Sequence, residues 1–278
     1  MREGKTTVEV LAEIPPWEWP EDAGQALLEL LRDDGASGAD RLLAAELAGN
    51  LVVINDELVD ALLSILGGAG ETQALRGQAA ISLGPVLEQA DTDGFEDPDD
   101  VPIAERTFHR IQQTLRALYV DAGVPSDVRR AILEAAVRAP QSWHRDAVRA
   151  AYGSGDEAWR LTAVFCMRFV RGFDEQILEA LDSENSEIHY EAVRAAGAGE
   201  VSAAWPHVSG LVTAENIDKP LLLAAIEAVA SIRPREAAEV LSDLLDSDDE
   251  DIADAVSEAM ALAEMPLDEG DEDGEPRP

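Results

Sequence analysis

The sequence predicts an all-α chain, an α-α solenoid of about six to seven helical hairpins. Three observations carry that prediction. Similar segments return roughly every 30 residues. Each segment is rich in Ala and places its apolar residues at helical spacing. Gly, Pro and Ser punctuate the chain between them.

Residues 1–36 stand outside the repeat and read as an N-terminal cap. Thr6 to Val10 is a short alternating piece. Ile14-Pro15-Pro16-Trp17-Glu18-Trp19-Pro20 follows, then a helix from Glu21 to Asp33 closed by Gly35. Both Trp rings are expected to cover the apolar face that the first repeat leaves open. A docking motif is the competing reading, because Pro-flanked aromatics also suit binding.

The repeat occupies 37–265. Arg41–Gly49 (RLLAAELAG) and Arg76–Gly84 (RGQAAISLG) share Arg, Ala-Ala and Gly at a separation of 35 residues. Looser copies start at Val128, Ala158, Ile188, Leu221 and Ile252. The small or apolar pair at their centres falls at Ala135, Phe165, Ala195, Ala228 and Ala259, in steps of 30, 30, 33 and 31 residues. Ala at these places lets neighbouring backbones approach closely.

A second, amphipathic helix follows each first helix. Asp56–Leu66 shows the stripe Leu58, Leu62, Ile65, Leu66. Asp174–Ser183 and Arg235–Ser247 repeat the pattern. Gly67-Gly68, Gly153-Ser154-Gly155 and Ile232-Arg233-Pro234 mark turns, and Ser186 is the expected N-cap of its helix. Trp143, Phe173 and Trp205 each open a second helix, where an aromatic ring closes the core between hairpins.

An acidic insert, 91–102, breaks the period ahead of a long helix, Ile103 to Ala122, with Phe108, Ile111, Leu115 and Leu118 on one face. The insert carries Asp91, Asp93, Glu96, Asp97, Asp99 and Asp100. Their spacing does not match an EF-hand loop, so a solvated loop is expected and no metal. Residues 266–278 are charged and Gly- and Pro-punctuated, and are expected to be disordered.

The windows resemble the HEAT-like repeats of bilin-lyase-type and related scaffold proteins. That pattern is roughly an acid, an apolar residue and Arg, then Ala-Ala and Ala-Leu-Gly. Leu75-Arg76, Ala79-Ala80 and Leu83-Gly84 fit it well; Asp127-Val128-Arg129 with Ala135-Ala136 fit partly. The resemblance covers about residues 37 to 265 and implies a HEAT/armadillo-like superhelix. It implies little about function, since such repeats serve different tasks.

Composition narrows the function. Asp plus Glu number 57 against 21 Lys plus Arg, a formal charge of −36. That charge opposes unspecific binding to nucleic acid or anionic membrane. Only Lys5 and Lys219 are lysines, as in proteins kept soluble in multimolar salt; a G+C-rich genome gives the same bias. A single Cys excludes an intramolecular disulfide framework and multi-cysteine metal sites. No targeting or membrane-spanning segment is evident, so a cytoplasmic location is expected.

Enzyme signatures are missing. No phosphate loop, His-Glu-x-x-His or Gly-x-Ser-x-Gly occurs. His109, His144, His189 and His207 are spread over four hairpins. None is followed by Glu, so the His-Glu steps of iron-dependent hydroxylases with this repeat are not met. A basic groove like that of repeat-built DNA glycosylases is opposed by the overall charge. Cys166, flanked by Val164, Phe165 and Met167, reads as a core thiol. No cofactor is expected.

The charge is uneven. From Ile103 to Arg171 eleven Arg face seven acids, a local net of +4. One reading pairs these Arg with acids of the next hairpin. The other makes them a concave patch for a protein or acidic peptide, lined by Trp143, His144, Arg145 and Arg149, with Arg168, Arg171, His189 and Tyr190 further along. The expected function is a non-enzymatic protein–protein scaffold or adaptor. The alternatives are a lyase-type helper that attaches a tetrapyrrole and a nucleic-acid-binding module using the basic middle.

Overall fold

The computed structural model describes residues 6–97, 100–214 and 216–264. The expected disordered tail lies outside these residues. The described residues are helical throughout, with no strand, and fall into two compact units, Met1–Val170 and Arg171–Pro278.

The first unit holds α1 (Thr7–Ala12), α2 (Ala23–Arg32), α3 (Gly38–Ala48), α4 (Asp56–Gly67), α5 (Gln73–Ile81), α6 (Gly84–Asp93), α7 (Glu105–Val120), α8 (Ser126–Ala136), α9 (His144–Tyr152) and α10 (Glu157–Cys166). The second holds α11 (Asp174–Leu181), α12 (Ser186–Ala198), α13 (Trp205–Val212), α14 (Lys219–Ile232), α15 (Pro234–Leu241) and α16 (Glu250–Glu264). All seven windows read from the sequence are first helices: α3, α5, α8, α10, α12, α14 and α16.

Within each unit, like packs on like. In the first, α3 meets α5, α5 meets α8 and α8 meets α10, while α2 meets α4 and α4 meets α7. In the second, α12 meets α14 and α14 meets α16, while α13 meets α15. This is the side-by-side stacking of helical hairpins, whose apolar faces are covered only by their neighbours. Small residues set the spacing. Ala44, Ala45, Ala79 and Ala80 are fully buried. A β-carbon on Gly49 would stand 2.6 Å from the carbonyl oxygen of Ser82.

Side-chain caps start the first helices. Ser37, Thr72, Asp156, Asn185 and Asp218 each accept a backbone N–H from the opening turn of α3, α5, α10, α12 and α14. Each cap contributes about 1 kcal/mol. Asn185, not Ser186, holds the cap of α12: its side chain accepts from two N–H groups, and Ser186 is the first helical residue.

Buried arginines repeat as well. The Arg41 guanidinium donates to the Leu31 carbonyl at 3.2 Å, and Arg76 Nε to the Leu66 carbonyl at 2.8 Å. Both carbonyls belong to the penultimate residue of the preceding helix, α2 or α4. Helix ends leave such carbonyls without intrahelical partners, and a cation there also opposes the negative end of the helix dipole.

Three expectations change. The piece beginning at Thr6 is helical: Thr6 and Glu9 form a reciprocal capping box at the start of α1. Trp19 is part-buried, its Nε1 donating to the carbonyls of Leu11 at 2.9 Å and Ile14 at 3.2 Å. Trp17 is 80% exposed and covers nothing. The insert is also shorter than 91–102. Asp91 and Asp93 belong to α6, a helix the sequence reading did not separate, which ends at Gly94 with φ +72°. Of the described residues beyond it, several are anchored rather than solvated. Val101 and Ile103 are buried, Phe95 packs on Phe108, and Gln89 Nε2 donates to the Asp100 carbonyl at 2.8 Å.

Candidate functional site

The expected patch residues divide between the two units. Trp143, His144, Arg145, Arg149 and Arg168 lie in the first; Arg171, His189 and Tyr190 lie in the second.

Trp143, just before α9, is half-buried. Its ring lies 5.1 Å from that of Tyr119, and its Nε1 donates to Gln141 Oε1 at 2.8 Å. His144 is 1% exposed, so its ring lines no surface. The Gln141 N–H donates to its Nδ1 at 2.8 Å, leaving the proton on a buried Nε2 that has no partner among the described residues. Burial opposes its charged form and pushes its pKa down to about 4. Arg145 and Arg149 are exposed on α9, and Arg149 bonds Asp146 one turn back at 2.9 Å.

Arg168 follows α10 and stacks over Phe165 and Phe169, 5.3 Å from each ring centroid. Arg138 covers the same two rings from 5.6 and 5.5 Å while bonding Glu88. Two guanidiniums therefore share one aromatic pair by cation–π attraction. Nearby, the Thr162 hydroxyl donates to Glu134 at 2.6 Å, and burial holds that carboxyl above its ordinary pKa.

Many arginines of the basic middle are held within their own unit. Arg110 pairs with Asp60, Arg130 with Asp127, Arg129 lies over Trp159, and Arg160 bonds the Tyr152 hydroxyl. Arg106, Arg116 and Arg145 are exposed and carry no such bond to a described residue.

In the second unit, His189 and His207 are not scattered. They meet Nε2 to Nε2 at 2.9 Å, with ring planes at 85°. One imidazole must donate and the other accept, so at least one is neutral. Burial and the neighbouring His207 both lower the pKa of His189, against Asp218 and Asp182, which raise it. Arg171 is exposed. Tyr190 lies beneath the Arg194 guanidinium at 5.7 Å.

Tyr190 and Arg194 open a groove of about 650 Å³ over α12, α14 and α16. Two rows of side chains cross it. Tyr190, Leu223 and Asp254 form one, and Arg194, Glu227 and Glu258 the other. Neighbours within each row are 33 and 31 residues apart, the steps of the repeat itself. Ala224, Ala230 and Ala259 supply a small-residue floor. At one end Lys219 is clamped by Asp249 at 2.7 Å and by Asp251. The sequence reading singled out Tyr190 and missed the others. Laying the windows over one another by their central Ala or Phe was the signal that finds both rows.

Cys166 is fully buried, as a core thiol is. No group of three or more His, Cys, Asp or Glu arranged to hold a metal occurs among the described residues. No described helix is long and apolar enough to cross a membrane.

No family model and no curated protein matches the chain. Solved structures resemble it at low identity. The Escherichia coli protein YibA is 15% identical over 91% of this chain and 85% of its own, with TM-score 0.45. Human deoxyhypusine hydroxylase in complex with glycerol is 16% identical over 92% and 96%, with TM-score 0.40. An engineered protein is 16% identical over 88% and 68%, with TM-score 0.42. At these values none of them says what this chain does.

Proposed function

We propose that the chain is a non-enzymatic protein-interaction module, a scaffold or adaptor that receives a segment of a partner in the groove over α12, α14 and α16. The observation that carries this reading is the groove itself. Three successive first helices offer equivalent positions to solvent, and among them Leu223 and Ala255 are only half-buried. Stacked hairpins present such surfaces repeatedly, and pockets between helices are common binding places.

The experiment is a peptide-display selection on the intact chain, repeated with Leu223→Glu and Ala255→Glu. Sequences that lose binding to both variants, while each variant keeps its melting temperature, support the reading. Selected binders that ignore both substitutions count against it.

A further inference from the structure

The groove has a charge pattern as well as a shape, and the pattern selects an occupant. On α16, Asp254 and Glu258 stand one turn apart on the groove side, and Glu227 faces them from α14. None of these three carboxylates is held by a described residue. The groove holds two cations. Lys219 is bound by Asp249 and Asp251, while Arg194 lies over Tyr190 and keeps its charge. Glu227, Asp251, Asp254 and Glu258 outnumber these two cations in the lining, so the groove is net negative beside its apolar floor.

Resting on the interaction reading above, we propose that the occupant is a cationic amphipathic segment. Its apolar residues would meet Leu223, Ala224 and Ala255, and its Lys or Arg side chains would meet Glu227, Asp254 and Glu258. Carboxylates take guanidinium in bidentate geometry, and the chain's overall charge of −36 would draw such a segment in. An acidic segment, residues 266–278 of this chain included, meets repulsion there. The preference is thus opposite to the acidic partner expected for the Arg-rich middle.

Fluorescence anisotropy of the full chain tests this. Three labelled peptides share one apolar stripe, flanked by Lys and Arg, by Gln and Ser, or by Glu. The cationic peptide should bind with Kd below about 100 µM, and the acidic one at least tenfold more weakly, on the order expected for rim charges. The triple variant Glu227→Gln, Asp254→Asn, Glu258→Gln should weaken the cationic peptide by about tenfold. A control triple, Glu46→Gln, Asp174→Asn, Glu175→Gln, removes the same charge elsewhere and should change binding less than about twofold.

Equal weakening by both triples overturns the proposal, since only net charge is then sensed. Equal or tighter binding of the neutral or acidic peptide, still lost in Leu223→Glu, overturns the cationic occupant and leaves the groove reading standing. Binding of none of the three peptides removes the groove reading and this one with it.

Discussion

Gly197 of α12 lies so close to α14 that a β-carbon on it would stand 2.8 Å from the Cα of Ala228. Two first helices meet here backbone to backbone. Ala228 is the central small residue of its window, and Ala195 of the adjoining window is also fully buried.

Gly197→Ala should therefore destabilise the second unit by about 2 kcal/mol, because the obstacle is backbone and cannot rotate away. Gly210→Ala is the matched comparison. Gly210 lies in α13 with nothing within 4 Å of a β-carbon, so the change should stabilise by about 0.5 kcal/mol through helix propensity. Urea unfolding of the two variants checks the opposite signs. Destabilisation of similar size by both would show that packing at Gly197 is ordinary.

Arg41 tests how far its ion pair with Glu71, in the turn between α4 and α5, contributes. Its guanidinium binds Glu71 through both Nη atoms, at 3.0 and 2.7 Å, and both side chains are largely covered. Arg41→Met should cost about 3 kcal/mol, since it strands a partly buried carboxylate and the Leu31 carbonyl. The double variant Arg41→Met, Glu71→Gln should recover about 1 kcal/mol of that loss. Arg76→Met removes a bond to a carbonyl only and should cost about 1 kcal/mol. Chemical denaturation of the parent, Arg41→Met, Glu71→Gln and the double variant gives the cycle, with Arg76→Met measured beside it, and strict additivity would mean that Arg41 and Glu71 do not depend on each other.

The N-terminal cap separates two tryptophans that look alike in sequence. Trp19→Phe keeps an aromatic ring but removes the N–H that the Leu11 and Ile14 carbonyls share, leaving the Leu11 carbonyl only its backbone donor Ile14, and should cost about 1 kcal/mol. Trp17→Ala should stay within about 0.5 kcal/mol of the parent, because its ring is 80% exposed. Thermal melts distinguish them, and equal losses would mean that both rings pack.

These contrasts mark what the sequence carried and what it did not. Periodicity located every first helix, because a buried Ala face demands the same residues at each turn of the repeat. It also placed Arg41 and Arg76 in equivalent positions, although nothing in a single window shows that their donors end on Leu31 and Leu66. The start of α1 was signalled by Thr6 and Glu9, yet the Val8 and Val10 alternation resembled an extended segment. At α6, Gly84-Pro85 opens a separate helix, as proline fits a first turn, but the window RGQAAISLG drew attention to the repeat and not to that start. The meeting of His189 with His207 was not legible at all. It depends on how α12 and α13 are placed, which a separation of 18 residues in sequence does not reveal. The groove was half legible: its rows follow the period, but their exposure depends on packing.

His144 gives the pH dependence its sign. Its folded pKa is about 4 against an ordinary 6.5, because burial disfavours the charged ring. Between those values the unfolded chain binds a proton that the folded chain does not, so stability falls as pH falls. The contribution is intact above pH 6.5, declines below it and levels off near pH 4. Its full size is about 3 kcal/mol from the width of that window. Asn at this position offers an Oδ1 that can still accept the Gln141 N–H. It carries no titrating group. His189, held low by its own burial, and Glu134, held high, act on the same pH range and are common to both chains. The informative quantity is therefore the stability difference between parent and His144→Asn, measured by urea unfolding from pH 7.5 to 4.5. The parent should lose stability relative to the variant across that range. A constant difference would place the His144 ring in contact with water.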